Sequence, residues 1–341
     1  MHDAQPERKR RKRVTIYDIA EAAGVAPSTV SRTFARPGRV GAETAEHVRA
    51  TARRLGYRER PVARGYGDVS HKMLGIVVAD AANPVFAHIM KGFQLEAARH
   101  GYSVLLLDTQ EDPQVERQEI DRLAPLVDGL ALGASRLSDS AIMQIVKVRP
   151  VVSVNRVIAG LPSVIADTTR GMREAVTHLA ALGHTRFTYL PGPAASWADG
   201  VRWRGISEAC HQLDLVCRRV QPQRPSLEGG VAAYREWMDH RSTAVIAYND
   251  MMAIGFMKAC QRAGLLVPDD VSVVGVDNSI SSVLTTPTLT SVAPSTSEIG
   301  SRAARALISQ LQHRSSPSAE TIVVPMQLHS RESTAAPGHR Q

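Results

Sequence analysis

The sequence is poor in cysteine and in aromatic residues. Three cysteines, Cys210, Cys217 and Cys260, occur in 341 residues, and aromatic side chains make up 4% of the chain. An odd number of cysteines without metal-ligand spacing argues against a disulfide-stapled scaffold and against a zinc site. The three thiols lie in apolar or helical patterns, which is typical of reduced cysteines in a reducing compartment. We therefore expect no metal and no cofactor.

Long apolar stretches are also missing. No run of about 18 apolar residues is present, and the basic N-terminus lacks the apolar segment of a secretory signal. This pattern predicts neither membrane insertion nor export, and we expect a cytoplasmic protein associated with the nucleoid. The first later apolar run continues as ADAAN at 79–83 rather than as a glycine-rich phosphate loop, and no nucleophile elbow follows. An enzyme is therefore not expected.

The positive charge is concentrated at one end of the chain. The net charge is +8, and the first 70 residues hold 15 Lys/Arg against 8 Asp/Glu, so the remainder is close to neutral. Lys and Arg that neutralise phosphates release condensed counterions, so this segment suits a polyanion such as DNA. For the basic run 8–13, a solvated tail is the alternative. We interpret residues 1–13 as a disordered basic arm.

Three short helices are predicted after this arm. They are expected at Thr15–Ala23, with Thr15 as N-cap, at Pro27–Ala35 and at Glu43–Leu55. Two helices joined by a glycine-containing turn are typical of a helix-turn-helix, whose second helix places its N-terminal residues in the major groove. Those residues are Pro27, Ser28, Thr29, Ser31 and Arg32. An arginine at this position suits a bidentate contact to guanine.

Short β-branched runs alternate with helical stretches beyond residue 68. Strands are predicted at 74–79, 104–108, 130–132, 151–155, 187–190, 245–248 and 271–276. Continuous apolar runs separated by helices predict parallel sheets covered on both faces. Seven strands exceed one sheet, and a break at 155–165 indicates two doubly wound subdomains with a ligand between them. The predicted fold class of this part is α/β.

The motifs of the first 60 residues resemble those of one bacterial regulator family. VTIYDIA at 14–20, AGV at 23–25, STVSR at 28–32 and LGY at 55–57 closely resemble the head of the LacI/GalR (lactose repressor) family, and the likeness extends to about residue 330. The resemblance implies a periplasmic-binding-protein-like body and a homodimer on a pseudo-palindromic site in double-stranded DNA. It implies DNA contacts by Thr15, by Tyr17, Thr29 and Ser31 to phosphates, and by Pro27, Ser28 and Arg32 at base-reading positions.

Two positions depart from the family pattern. Ala26 stands where a serine usually caps the recognition helix, and a lost cap costs about 1 kcal/mol. Tyr66, between Gly65 and Gly67, stands where the family inserts a leucine into the central minor-groove step. Either the ring of Tyr66 intercalates, or the hinge stays unwound and bends the operator weakly.

These features divide the chain into five expected segments. They are the arm at 1–13, a DNA-binding domain at 14–58, a hinge at 59–71, an effector-binding and dimerisation domain at 72–333 and a tail at 334–341. The tail shows no apolar heptads, which favours a dimer over a helical tetramer.

The resemblance also implies an effector site where strand ends of the two subdomains meet. Motif matches assign to it Asn83, Phe86, Asn155, Ser196, Trp197, Arg202, Asn249 and Asp277. A guanidinium, amides and a carboxylate around an aromatic surface suit a polyol, so a carbohydrate is the expected effector. Ordinary structural alternatives stay open, because Asn249 can cap its helix, Asp277 can cap a turn and Trp197 can simply pack.

The predicted function is that of a transcription regulator, most often a repressor in this family, whose operator affinity responds to a small molecule. The effector either releases the protein from DNA, as an inducing sugar does, or tightens it, as a purine corepressor does. A free-standing sugar-binding transport protein is the rival, and it would need an export signal and no basic head. No membrane partner is expected.

Overall fold

The computed structural model describes residues 15–35, 40–55, 71–312 and 319–338. The chain forms two compact units, which divide between Val69 and Ser70. We call the described residues 15–55 the head and the described residues from 71 onward the body. In this described part of the chain, no helix combines the length and the apolar character of a membrane span.

The head contains three helices around a small apolar core. They are α1 at Ile16–Ala23, α2 at Pro27–Ala35 and α3 at Ala42–Arg54. A capping box begins α1, because Asp18 N donates to Thr15 Oγ1 at 3.4 Å and Thr15 N donates to Asp18 Oδ2 at 2.6 Å. Gly24 ends α1 in the left-handed conformation, with a φ of 64°. The core consists of Ile19, Ala20, Ala23, Val30, Val48 and Ala52.

The body has two subdomains, each built on a six-stranded sheet. The first begins with β1 Met73–Val78, α4 Pro84–Arg99, β2 Ser103–Asp108, α5 Pro113–Leu123, a 3-10 turn at Ala124–Leu126, β3 Gly129–Gly133, α6 Asp139–Val146, β4 Val151–Val154 and β5 Ser163–Ala166. The central strands β1, β3 and β4 are buried almost throughout, as expected for apolar strands with helices on both faces.

The second subdomain follows directly. Its elements are α7 Thr168–Ala181, β6 Arg186–Leu190, α8 Trp197–Gln212, β7 Val216–Arg219, α9 Leu227–Asp239, β8 Ala244–Ala247, α10 Asp250–Arg262, β9 Ser272–Val276, α11 Ile280–Leu284 and β10 Thr290–Pro294. The chain then returns to the first subdomain with α12 Thr296–Gln312 and β11 Thr321–Val324, and ends in the second with β12 Met326–His329. The strand orders are β11-β5-β4-β3-β1-β2 and β12-β10-β9-β8-β6-β7. Within them, β12 is antiparallel to β10.

The seven predicted strands are present, but the predicted subdomain boundary at 155–165 is wrong. The segment contains β5, which pairs in parallel with β4 and with β11 in the first sheet. The chain first leaves that subdomain after β5. A four-residue apolar run does not reveal which of two sheets it joins, because its partners are distant in sequence. The other unpredicted strands are β7, β10, β11 and β12, of which β7 and β12 carry polar or charged residues instead of a continuous apolar run.

Candidate functional site

The N-terminal turn of α2 forms an exposed polar surface on the head. Its exposed side chains are Pro27, Ser28, Ser31 and Arg32. Thr29 is half-buried, and its carbonyl accepts a hydrogen bond from Thr33 Oγ1 at 2.9 Å. Val30 on the same helix is fully buried in the head core. The apolar side of α2 therefore fixes the helix, while the side chains predicted to contact DNA remain free to do so.

The remaining predicted DNA contacts lie near α1 and in the hinge. Tyr17 exposes 68% of its surface. Thr15 is exposed, but its hydroxyl is already engaged with Asp18 in the capping box. At the start of α2, the backbone carbonyl of Ala26 accepts from Thr29 N at 2.8 Å. The basic arm and Tyr66 with its flanking glycines lie outside the described residues, so the intercalation of Tyr66 stays a prediction.

A cleft between the two subdomains of the body lies at the carboxyl ends of the parallel strands. Six of the predicted effector residues line it, namely Asn83, Phe86, Asn155, Trp197, Arg202 and Asp277. Its cavity has a volume of about 60 Å³, which is small beside the ~300–1,000 Å³ of ligand pockets. A ligand with a substituted ring would therefore have to separate the subdomains in order to enter.

Three chain crossings connect the subdomains at this cleft. They lie at residues 166–168, 294–296 and 324–326 in the described chain. Ala166, Thr168, Pro294, Thr296 and Met326 from these crossings all line the cavity. A change in the spacing of the subdomains therefore involves chain segments that line the cavity.

Arg202 on α8 contacts several groups of the cleft. Its Nη1 donates to the carbonyl oxygen of Tyr248 at 2.8 Å, and its guanidinium lies 4.3 Å from the centre of the Tyr248 ring. Its Nη2 lies 3.6 Å from Asp277 Oδ1. Its Nε is buried without a hydrogen-bond partner, and a donor of this kind gains free energy when a ligand supplies an acceptor.

Asp277 and Asp250 are two buried carboxyl groups on the second subdomain. Burial raises the pKa of Asp277 to about 7, although Arg202 opposes the shift. Burial also raises the pKa of Asp250 to about 6, against hydrogen bonds from Ser291 and Ser279. Both acids therefore bind protons at much higher pH than an exposed aspartate does, and such perturbed groups cluster at functional sites.

Four of the described residues that line the cleft have a φ in the left-handed region, among them Asp277 and Asn155. Asp277, after β9, has a φ of 111°, and Asn155, after β4, has a φ of 59°. Non-glycine residues rarely adopt positive φ, and such strain persists where the surrounding structure holds it for a purpose. The two residues approach the cleft from different sheets.

Ser196 and Asn249 lie beside the cleft but are not among its lining residues. Ser196 caps α8 by accepting from Asp199 N at 3.2 Å, and its hydroxyl contacts the Tyr248 hydroxyl at 3.0 Å. Asn249 caps α10 by accepting from Met252 N at 2.9 Å, and its Nδ2 donates to a backbone carbonyl at 3.1 Å. Both side chains therefore hold the elements that carry cleft residues.

Sequence reasoning missed several polar side chains of the cleft, among them Glu111, Arg136 and Tyr248. Arg136 exposes 4% of its side chain, and its Nη2 lies 2.5 Å from Glu111 Oε2. Glu111 and Arg136 each lie three residues after the end of a strand, β2 or β3, and Tyr248 directly follows β8. The strand-end rule would have found all three if it had been applied to every strand. Within the described chain, no cluster of three or more His, Cys, Asp or Glu side chains is arranged to hold a metal ion.

Comparison with known proteins identifies both parts of the chain. A model described as bacterial regulatory proteins, lacI family, matches residues 15–59, and one of a periplasmic binding protein-like domain matches residues 176–334. Among solved structures, the lac repressor dimer bound to operator and the anti-inducer ONPF has a TM-score of 0.70 at 26% identity, with 95% of this chain and 100% of that chain covered. The transcriptional regulator CelR in its cellobiose complex also has a TM-score of 0.70 at 26% identity, with coverages of 94% and 100%.

The match to a curated relative extends through head and body. The HTH-type transcriptional repressor CytR of Escherichia coli (strain K12) is 31% identical over 316 residues, which span 89% of this chain and 92% of that repressor. Identity of this extent fits the two-sheet body and the helix-turn-helix head described above. The chain therefore belongs to the LacI family of bacterial DNA-binding transcription regulators.

Proposed function

We propose that this protein is a homodimeric repressor, and not an enzyme, that acts in the cytoplasm on a pseudo-palindromic operator under the control of a small effector. The observation that carries the proposal is the cleft, because predicted effector residues and all three chain crossings of the described body meet there. A ligand that binds one spacing of the subdomains better than another shifts the whole body toward that spacing. The named relatives are transcription regulators and repressors, which supports regulation over catalysis.

The proposed DNA-binding surface is the start of α2 together with Tyr17. Tyr17, Thr29 and Ser31 bind phosphates, while Pro27, Ser28 and Arg32 face base edges. Thr15 lies beside Tyr17 at the start of α1 and contributes to the same surface. In this proposal, residues 14–58 form the DNA-binding domain, residues 59–71 the hinge, and residues 72–333 the effector-binding and dimerisation domain. Tyr66 is the minor-groove contact of the hinge.

The proposed effector is a carbohydrate or a related compound with a ring and several hydroxyl groups. Phe86 and Trp197 supply ring surfaces, and Asn83, Asn155, Arg202 and Asp277 supply hydrogen-bonding groups. Ser196 and Asn249 act as positioning residues, because their polar atoms are already engaged by helix caps and neighbouring groups. A regulator of similar fold is known in complex with cellobiose, which supports the carbohydrate class.

The DNA-binding part is tested with fragmented genomic DNA. Wild-type protein should retain a small set of fragments that share a pseudo-palindrome, whereas Arg32→Ala should lose roughly tenfold or more in affinity for them, as a lost base contact costs ~1–3 kcal/mol. Arg186→Ala is the matched control, since it removes the same charge from an exposed position of the body. Equal retention by Arg32→Ala would refute the assigned reading surface. No specific retention by wild type, both with and without a mixture of sugars and nucleosides, would refute the repressor.

The effector-binding part is tested on a retained fragment by fluorescence anisotropy with a mixture of sugars and nucleosides. The mixture should change operator affinity for wild type and for Arg204→Ala, whose exposed arginine lies two residues from Arg202. Arg202→Ala should bind DNA normally and lose the response. Weaker DNA binding in the mixture indicates an inducer, and tighter binding indicates a corepressor such as a purine. Light scattering should give twice the chain mass for the dimer.

A further inference from the structure

The cleft is lined by as many acidic side chains as basic ones. Among the described residues that line it, the charged side chains are Arg136, Arg202, Glu111 and Asp277. Nε of Arg136 donates to Glu111 Oε2 at 2.6 Å, and Nη2 of Arg136 lies 2.5 Å from the same oxygen. The pair is largely buried, with 4% of the Arg136 side chain and 22% of the Glu111 side chain exposed. Glu111 therefore neutralises Arg136 before any ligand arrives.

Arg202, from the second subdomain, is also held by groups of the protein. Its Nη1 donates to the Tyr248 carbonyl at 2.8 Å, and its Nη2 lies 3.6 Å from Asp277 Oδ1. Its Nε is buried and has no hydrogen-bond partner. Asp277 thus offsets the charge of Arg202, whereas a phosphate is bound best by the two parallel donors of a guanidinium with no carboxylate beside it.

Further carboxylates lie directly behind this lining. Glu116 Oε2 accepts from the backbone N of Arg136 at 2.8 Å, and Asp250 Oδ2 accepts from Ser279 N at 2.7 Å. Both carboxylates are 1% exposed. These buried carboxylates, which the nearby Arg331 offsets in part at Asp250, weaken the attraction of the cleft for an incoming dianion.

Aromatic surfaces complete the site, because Phe86, Trp197 and Tyr248 line the same cavity. Such faces pack against the ring of a sugar or a base. We infer that the cleft selects an uncharged, hydroxyl-bearing ring compound over its phosphate ester, and that Glu111 enforces this choice by occupying Arg136. The inference rests on the proposed effector site and specifies the ligand class that this site accepts.

The test frees Arg136 by Glu111→Gln in the full-length chain. Thermal unfolding is measured with inorganic phosphate, ribose 5-phosphate and ribose at matched ionic strength and at about pH 8, above the raised pKa of Asp277. The matched control is Glu119→Gln, which removes the same charge from α5 outside the cleft. The two phosphate probes should bind Glu111→Gln roughly tenfold or more tightly than wild type or Glu119→Gln, because an unpaired buried guanidinium attracts phosphate. The double variant Glu111→Gln, Arg136→Gln should lose this gain.

Two outcomes overturn the inference. In the first, phosphate or ribose 5-phosphate stabilises the wild-type chain as strongly as it stabilises the Glu111→Gln variant. In the second, the Glu111→Gln variant folds but binds phosphate no more tightly than wild type does. If Glu111→Gln does not fold, Glu111→Asp, which withdraws the carboxylate from Arg136, is measured in the same way. The shifts in thermal unfolding are measured without DNA. If the repressor proposal fails, the failure would therefore appear in the experiment with genomic DNA fragments, and the phosphate result would be unchanged.

Discussion

Cys217 on β7 differs from the other two cysteines in exposure and in acidity. It is half-buried, whereas Cys210 and Cys260 are buried. Hydrogen bonds with the Cys210 thiol and Ser207 lower the pKa of Cys217 below that of an ordinary thiol, while burial raises the pKa of Cys260 to about 12. The thiolate is the nucleophile. We expect iodoacetamide at about pH 7.5 to label Cys217 well before the other two cysteines.

Peptide mass spectrometry of a labelling time course measures this order. A Cys217→Ser variant serves as control, and its folded form should take up label slowly, because burial also keeps Cys210 from the reagent. Equal labelling rates for Cys210 and Cys217 in the folded wild type would contradict the prediction.

The cleft shows how far single residues can be read from sequence. Arg202 and Asp277 could be placed there, because a family motif marks them and because strand ends meet at one edge of a parallel sheet. Asn249 follows a strand equally well, but its amide is engaged by helix α10 and by a backbone carbonyl. Arg136 was missed, since its importance depends on a partner 25 residues away, Glu111, that only the folded chain brings near. The sequence therefore predicts which residues lie at this edge of the sheet. Which of their side chains can bind a ligand depends on the packing of the folded chain.

Helices α4 and α12 lie so close together that each requires a glycine at the contact. A Cβ on Gly92 would lie 1.9 Å from the carbonyl oxygen of Ser297, and one on Gly300 would lie 1.9 Å from that of Ile89. Backbone atoms cannot rotate away, so the helices would have to separate. We expect Gly300→Ala to lower the free energy of unfolding by about 1–3 kcal/mol.

Gly200→Ala is the matched control for urea unfolding. Gly200 lies within α8, and a Cβ there would meet open space. Alanine favours a helix over glycine by about 0.5–1 kcal/mol, so this change should stabilise the body. We therefore expect the two alanine substitutions to change the free energy of unfolding in opposite directions. A Gly300→Ala chain as stable as wild type would show that α4 and α12 can move apart without loss of stability.

Two histidines attach the C-terminal segment to the second subdomain. His184 contacts Thr243 Oγ1 at 2.8 Å and the Ala335 carbonyl at 2.9 Å, and His178 contacts Thr334 Oγ1 at 2.9 Å. Burial lowers the pKa of both imidazoles below the ordinary value of 6.5. Below about pH 6.5 the unfolded chain therefore binds more protons than the folded chain. The free energy of unfolding must fall as pH drops from there toward the lower folded pKa.

We test this pH dependence by comparing wild type with His184→Gln. The variant loses hydrogen bonds and should be less stable at about pH 7.5, but it also loses the penalty for protonation. The difference in Tm between the two chains should therefore narrow as pH falls to about 5.5. Asp250 and Asp277 act in the opposite direction, since their raised pKa values favour the folded state as pH falls, but they are present in both chains. A Tm difference between wild type and a folded His184→Gln chain that stays constant from about pH 7.5 to about pH 5.5 would contradict the assignment.

At the level of elements, apolar periodicity was sufficient for the helices of the head and for the central strands of the body. It was insufficient for β7 and β12, whose sequences VCRR and MQLH contain no apolar run. These two strands lie at the ends of the second sheet, where one edge has no partner strand. Edge strands tolerate polar residues, so their pattern does not separate them from loops.

At the scale of the whole molecule, the chain path explains how a ligand can act on both subdomains. A single connection would allow them to move almost independently. Because three crossings line the same cavity, we expect the subdomains to change their spacing in one coordinated movement. Sequence alone indicated two subdomains, but it could not reveal that α12 and β11 return to the first one, because that return depends on contacts with α4 and β5.

This coordinated movement would couple effector binding to operator binding, and the coupling can be measured. If an effector lowers operator affinity by some factor, the operator must lower effector affinity by the same factor, with typical couplings of ~1–3 kcal/mol. We expect anisotropy with saturating effector and calorimetry with saturating operator to give equal factors in one buffer. Pro294→Gly at the second crossing should reduce both factors equally, because added backbone freedom at residues 294–296 weakens the link between the subdomains. If both factors keep their wild-type size in a folded Pro294→Gly chain, the crossing at Pro294 does not carry the coupling, and the control of DNA binding must pass through the crossings at 166–168 and 324–326 or through side-chain contacts across the cleft.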